Sequence, residues 1–226
     1  MNDAVALFGK APVAGVVKTR LTPPLTPDEA AWIARASLED TLRRFPRRVP
    51  AAWTLFLDGD ADPAIEAQAS AAGVRLLPQG LGDLGERLAR AFTLLRDEGA
   101  ARVVAVGTDS PTLDPAFIGD GLVALRETDV AIGPADDGGY YLIGAGSNVD
   151  VAALFRAIPW STAAVARVTE ARAAALGFTV ALLSEWYDLD DAAALRRAAA
   201  DPALAECPAL SAAIAGILSR LLTTPA

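Results

Sequence analysis

The sequence predicts an α/β fold built around a mainly parallel β-sheet. Apolar runs of strand length alternate with amphipathic helical stretches, the order expected of βαβ units. Several helices announce their starts with a capping residue followed by proline, as in Thr26-Pro27, Asp62-Pro63 and Asp114-Pro115. No internal repeat or low-complexity linker interrupts the pattern, so residues 1–226 read as a single domain with a helical C-terminal extension over 191–226.

Taken in order, the first strand is expected over Val5 to Phe8, followed by a loop through about Leu25. Thr26-Pro27-Asp28-Glu29 then starts a helix with Thr as N-cap and Glu closing a capping box. Trp53 to Leu57 is the second strand; a short helix from Asp62-Pro63 ends at Gly73, and Val74 to Leu77 is the third strand. A helix over Leu84 to Arg96 leads to a fourth strand, Arg102 to Val106, and Asp114-Pro115 opens the next helix. Two closely spaced strands, Val130 to Gly133 and Tyr140 to Ile143, precede a helix over Ser161 to Leu176 that Gly177 ends. Phe178 to Leu183 is the last strand, and alanine-rich helix broken near Pro202 and Pro208 follows Asp191.

Composition removes several kinds of chemistry. With no histidine in the chain, a Ser-His-Asp triad, a Cys-His pair and His-ligated zinc are all excluded. Catalysis would rest on carboxylates, Lys, Arg, hydroxyls, backbone amides and a hard metal. The single cysteine, Cys207, cannot form an internal disulfide, which fits a reducing cytoplasm, and reads as structural rather than nucleophilic. A net charge of −8 would repel a nucleic-acid backbone, and no basic run interleaved with aromatics offsets it. No apolar run is long enough to span a membrane, and no basic region before the first apolar run suggests a signal peptide.

The loop after the first strand, from Gly9 to Arg20, carries glycine and positive charge at a strand's carboxyl end, where open α/β sheets bind ligands. Lys18 supplies a point charge and Arg20 a bidentate fork, a pair suited to a polyphosphate. Gly15 is separated from Lys18-Thr19 by two valines, so this is not a P-loop, and no Gly-x-Gly-x-x-Gly supports a dinucleotide fold. The same residues also read as a solvated basic turn.

Carboxylates recur at other strand ends. Asp109 follows the fourth strand in Gly107-Thr108-Asp109-Ser110-Pro111, where it could hold a metal or cap a turn. Asp136-Asp137-Gly138-Gly139 lies between two strands and doubles as a hairpin signal. Asp188 and Asp190 follow the last strand and could equally cap the helix beyond. Three such clusters suit a metal-nucleotide site better than three independent turns. Gln79-Gly80-Leu81-Gly82 permits close backbone approach to a flat base, with a loop before a helix capped by Asp83 as the plainer reading. Trp160-Ser161-Thr162 reads as acceptor pocket or as core plus cap.

Together, Phe8-Gly9-Lys10-Ala11-Pro12 to Lys18-Thr19-Arg20-Leu21, Gly82-Asp83-Leu84-Gly85-Glu86-Arg87, Gly107-Thr108-Asp109-Ser110-Pro111 and Asp137-Gly138-Gly139-Tyr140-Tyr141 resemble the GT-A-fold (nucleotide-diphospho-sugar transferase) superfamily. Within it the chain is similar to a bacterial glycosyltransferase-like family associated with radical-SAM/selenodomain proteins and related to 2-phospho-L-lactate guanylyltransferase. The resemblance reaches through Trp160-Ser161-Thr162 and Asp188-Leu189-Asp190. It implies a three-layer αβα sandwich, a nucleotide or sugar-nucleotide substrate, a small-molecule acceptor and Mg²⁺ (or Mn²⁺). It implies nucleotide contacts from Gly9, Lys10, Gly15, Lys18, Arg20, Gln79 and Gly82. Asp109 with Asp188 or Asp190 would hold the metal, and Asp137, Gly138, Gly139, Tyr140 and Trp160 would face the acceptor. Lys18, Arg20 and Asp109 would carry catalysis. Gly107-Thr108 stands where many glycosyltransferases have the first carboxylate of Asp-x-Asp, which weakens the case for sugar transfer.

The expected reaction is nucleotidyl transfer to a small phosphorylated acceptor, because an ionised acceptor needs no histidine or tuned base. Glycosyl transfer is the alternative, with Asp137 as candidate base if the reaction inverts. A non-catalytic nucleotide-binding protein is the third reading.

Overall fold

The computed structural model describes residues 2–223. Its strands are β1 (Asn2–Lys10), β2 (Ala52–Asp58), β3 (Arg75–Pro78), β4 (Ala100–Gly107), β5 (Val130–Pro134), β6 (Tyr140–Gly146) and β7 (Val180–Leu182). Between the first strands lie α1 (Pro27–Arg48), α2 (Pro63–Ala71) and α3 (Leu84–Asp97). After β4 come α4 (Pro115–Ala124), α5 (Val151–Leu154), α6 (Val165–Ala175), α7 (Ala192–Ala200) and α8 (Pro208–Thr223).

The strands form one sheet in the order β3-β2-β1-β4-β6-β5-β7. All neighbouring pairs are parallel except those that β6 makes with β4 and β5. The chain winds outward from β1 to β3, then returns to place β4 on the other side of β1. That reversal opens a crevice at the carboxyl ends of β1 and β4. In register, Lys10 lies opposite Asp58 on β2, and Phe8 opposite Gly107 on β4, so the loops leaving these strands start level with one another.

Alternation along the strands fills two core layers, as a period of two requires. Val5 and Leu7 of β1 and Val104 and Val106 of β4 face Leu42, Phe45, Ile65 and Ile118 of α1, α2 and α4. Ala4 and Ala6 with Val103 and Ala105 face Leu88, Phe92 and Leu154 of α3 and α5. Phe45 and Phe92 are fully buried, and each contributes roughly 1.5–3 kcal/mol through removal from water. The expected αβα sandwich is what the chain forms.

A third cluster joins the outer face of α1 to the C-terminal helices through Ile33, Ala36, Leu210, Ile214 and Ile217. Its polar fastening is Asp40, whose buried carboxylate accepts the Leu210 amide at 2.8 Å and Arg43 Nη2 at 3.0 Å. Cys207 is buried, and its thiol donates to the Pro111 carbonyl at 3.2 Å. Burial pushes its pKa up to about 11, in keeping with a structural cysteine.

Most helix starts fall where the capping signals place them. Thr26 and Glu29 close a capping box, and Asp62 and Asp114 cap helices that open on proline. The region before α6 differs from expectation. The helix expected from Ser161 begins only at Val165, and Val151–Leu154 forms a short helix that the sequence reading left out. Ser161 adopts a left-handed conformation (φ 62), so the chain turns before it can wind. The carbonyl of Gly138 then accepts the Ala166 amide at 3.0 Å, so the β5–β6 hairpin satisfies the start of α6.

Candidate active site

A cleft of about 620 Å³ opens at the carboxyl ends of β1 and β4, bordered by the loops after β1 and β3. The chain contains two lysines, Lys10 and Lys18, and both line this cleft.

Lys18 is the centre of the site. It sits in a left-handed turn (φ 50, ψ 36), closed by the Leu21 amide donating to the Lys18 carbonyl at 2.9 Å. Buried Val17 and Leu21 anchor the turn on either side. The ammonium donates to Asp109 Oδ1 and, at 2.9 Å, to Asp190 Oδ1. The Lys18 side chain is only 4% exposed, while those of Asp109 and Asp190 are 50% and 42% exposed. Burial alone would pull the lysine pKa down; the charges and hydrogen bonds of Asp109 and Asp190 outweigh it and leave it raised. Arg20, more exposed, brings Nη1 to 4.0 Å from Asp190 Oδ2.

Residues 91 and 172 positions away from Lys18 thus meet at one ammonium. Asp109 leaves β4 directly into the crevice. Asp190 is brought there by the segment after β7, where the Leu189 amide donates to the Asp109 carbonyl at 2.9 Å. Upstream, Thr112 donates to the Tyr187 hydroxyl at 2.9 Å, and Tyr187 donates to Asp201 at 2.8 Å, fixing the segment to the C-terminal helices.

The two late aspartates divide their tasks. Asp190 lines the cleft, whereas Asp188 turns away from it and accepts a hydrogen bond from Ser110. Burial raises the Asp188 pKa to about 6, reinforced by the charges of Asp109 and Asp190 and opposed by the Ser110 hydrogen bond. A carboxyl with a folded pKa above its unfolded one stabilises the fold at low pH, and that contribution is lost as pH rises through about 6. Asp188→Asn, which mimics the protonated acid, is therefore expected to stabilise the metal-free protein at pH 8 by about 1–2 kcal/mol, with partial exposure discounted. Thermal melts in chelator should show this gain shrinking towards zero by about pH 4. An unchanged or lowered midpoint at pH 8 would contradict it.

The donor set suits a hard divalent cation. Asp109 and Asp190 each spend one oxygen on Lys18 and are half open to solvent. Mg²⁺ needs one or two carboxylates, with phosphate oxygens and water completing its octahedron. Among the described residues no group of three or more carboxylates, cysteines or histidines forms a ready-made metal cage. The site fits a metal held by two side chains and its substrate.

Several assigned residues play other parts. Gln79 lines the cleft, but its amide nitrogen donates to the carbonyls of Gly9 (2.9 Å) and Phe56 (3.1 Å), and its oxygen accepts from Arg87 at 3.1 Å. It is a strut that fixes the first loop, because its polar atoms are already engaged. Gly9 lets β1 and β4 approach: a Cβ there would lie 3.1 Å from Thr108 Oγ1. Gly15 lies outside the cleft lining and serves a turn with φ 77. Gly82 lines the cleft with φ 103.

Asp137, Gly138 and Gly139 do not line the cleft. Asp137 accepts the Gly139 amide at 2.8 Å within the hairpin, and a Cβ on Gly138 would strike the Ala163 backbone. Their hairpin role prevails because the turn uses Asp137 Oδ1 and the segment before α6 packs over Gly138. Tyr140 and Trp160 do line the cleft, with rings edge to face at 6.4 Å. Arg87, for which the sequence suggests no role, joins Asp58 at 2.9 Å, Gln79 and the Gly82 carbonyl, tying the β3 loop to the end of β2. Only its place in the first turn after Gly82 hinted at this.

Similarity to solved structures places this fold in the nucleotide-diphospho-sugar transferase superfamily, a class of transferases. The chain belongs to the family described as "Uncharacterized protein conserved in bacteria (DUF2064)", which residues 41–162 match. Among solved structures, a protein from Desulfovibrio desulfuricans G20, assigned by inference to the nucleotide-diphospho-sugar transferases, is 31% identical, with a TM-score of 0.78. The match covers 96% of this chain and 98% of that one. A nucleotidyl transferase from Methanothermobacter thermautotrophicus shares the fold at a TM-score of 0.58 and 15% identity, over 87% of this chain and 95% of its own. CMP:2-keto-3-deoxy-manno-octonic acid synthetase, solved with CTP, does so at 0.52 and 14%, over 87% and 96%. No curated protein matches the chain.

Proposed function

We propose that the chain is a Mg²⁺-dependent nucleotidyltransferase, which moves a nucleotidyl group from a nucleoside triphosphate to a small phosphorylated acceptor. The observation that carries this reading is the meeting of Lys18, Asp109 and Asp190 in a cleft that Lys10 and Arg20 also line. Asp109 and Asp190 would hold Mg²⁺ (or Mn²⁺), whose chemistry is to neutralise polyphosphate charge. Lys10, Lys18 and Arg20 bind and orient the phosphates. The acceptor oxygen, already ionised at neutral pH, attacks the α-phosphorus; the α–β bridge breaks and its electron pair leaves with pyrophosphate. Positioning and charge neutralisation suffice for such a step, which suits a chain without histidine.

Inverting glycosyl transfer needs a carboxylate base beside the acceptor hydroxyl. Asp137 does not line the cleft, and the carboxylates that do have other parts: Asp58 pairs with Arg87, Asp83 caps α3, and Asp109 and Asp190 would hold the metal. This favours nucleotidyl transfer. Incubating the protein and Mg²⁺ with each nucleoside triphosphate or sugar nucleotide, against a panel of sugar and small-acid phosphates, separates the two. Pyrophosphate release is expected; release of a nucleoside diphosphate from a sugar nucleotide would overturn the reading in favour of glycosyl transfer.

A further inference from the structure

We infer that Lys18 holds the divalent-cation position of the substrate-free protein and yields it only to a metal that arrives with a polyphosphate. This rests on the two-carboxylate metal site of the proposed function, and it assigns Lys18 a role before chemistry begins.

The ammonium lies where a shared cation would lie, bonded to Oδ1 of both carboxylates, with the rest of the lysine enclosed. The backbone conformation that aims it there is left-handed, which a non-glycine residue adopts only when its surroundings impose it. Val17 and Leu21 hold the turn from either side, so the aim is built into the fold. A divalent ion entering alone must share the carboxylates with a positive charge that is hydrogen-bonded to both of them, and the two cations repel. A polyphosphate changes the balance, because its oxygens offer the ammonium a second anionic partner. The four-carbon stem of lysine lets the head move without rebuilding the loop. Arg20, at 4.0 Å from Asp190, adds to the repulsion against an unaccompanied metal.

Metal and nucleotide are then positively coupled, each raising the other's affinity by the same factor. Free metal binds weakly, and the carboxylates stay charge-compensated without it.

The test is Mn²⁺ binding to the full chain without nucleotide, followed by electron paramagnetic resonance. Lys18→Gln should bind free Mn²⁺ about 10-fold more tightly than wild type, within the usual span of coupling factors. A non-hydrolysable triphosphate should then tighten Mn²⁺ less in the variant than in wild type. Lys18→Gln combined with Asp109→Asn should lose the gain, which ties it to this site. Unchanged or weaker Mn²⁺ binding by Lys18→Gln overturns the inference.

If that variant does not fold, the wild type decides. With [¹⁵Nζ]lysine labelling, Lys10 and Lys18 are the only side-chain ammonium signals. The Lys18 signal should hold its position in millimolar Mg²⁺ and move when the triphosphate analogue is added; movement with Mg²⁺ alone overturns the inference. Pyrophosphate release without a Mn²⁺ difference would remove this inference and leave nucleotidyl transfer standing. A Mn²⁺ difference in a protein that consumes no triphosphate would support the inference and remove nucleotidyl transfer.

Discussion

Asp109→Asn is expected to lower kcat/KM by about 10³-fold, the scale lost when one preorganised charge-stabilising group leaves an active site. Asp109 is half exposed and lies at the end of a buried strand, so its environment commits it to the cleft rather than to the core. Asparagine keeps the size of the side chain, and Lys18 keeps Asp190, so the melting temperature should move by no more than about 3 °C. Steady-state kinetics with saturating Mg²⁺, run beside a thermal melt, read both quantities. A variant with wild-type turnover would remove Asp109 from the mechanism. A variant that loses turnover only because it unfolds would assign it to the scaffold.

The second large effect falls far from the cleft. Asp40→Ala should destabilise the protein by about 2–3 kcal/mol, the range for stranding a buried backbone donor and losing a helix cap, and lower the melting temperature by roughly 5–10 °C. Asp40 is 0% exposed and stands on α1, yet it accepts the Leu210 amide in the first turn of α8. It caps a helix from another helix, where a negative charge also complements the helix dipole. Removing it strands that amide and leaves Arg43 with the Glu206 carbonyl and solvent. Asp40→Asn should recover part of the loss, since an amide oxygen can still accept one N–H. Because Tyr187 is bonded to Asp201, loosening α8 should also free the segment that delivers Asp190, so limited proteolysis should cut between residues 191 and 208 before the rest of the chain. A melting temperature equal to wild type would show that the C-terminal helices are held by their apolar face alone.

Much of this architecture is written locally. Thr26-Pro27-Asp28-Glu29 and Asp114-Pro115 set helix starts because a cap and a fixed φ act within four residues. The basic loop and Asp109 are legible for a similar reason: each follows directly from a strand whose carboxyl end must point at the crevice. What stays hidden depends on distant partners. Gln79 looks like a ligand contact from its place after β3, but whether its amide faces out or in is decided by carbonyls on two other strands. Asp188 and Asp190 cannot be ranked from spacing, since it is Ser110 and Lys18 that draw them apart. Asp137 belongs to its own turn, and the α6 boundary depends on Ser161 entering left-handed space, which its sequence neighbours do not announce. Asp40 gives no local sign of its capping role, because the amide it caps lies 170 residues away.

Acyl-phosphate derivatives of nucleoside triphosphates, which pass their acyl group to an amine lying beside the phosphates, test the convergence on polyphosphate most directly. Peptide mapping should find the label on Lys18 or Lys10, dependent on Mg²⁺ and suppressed by the free triphosphate. Labelling confined to the terminal amine, or indifferent to any competing nucleotide, would mean that the phosphates of a nucleotide do not lie in this cleft.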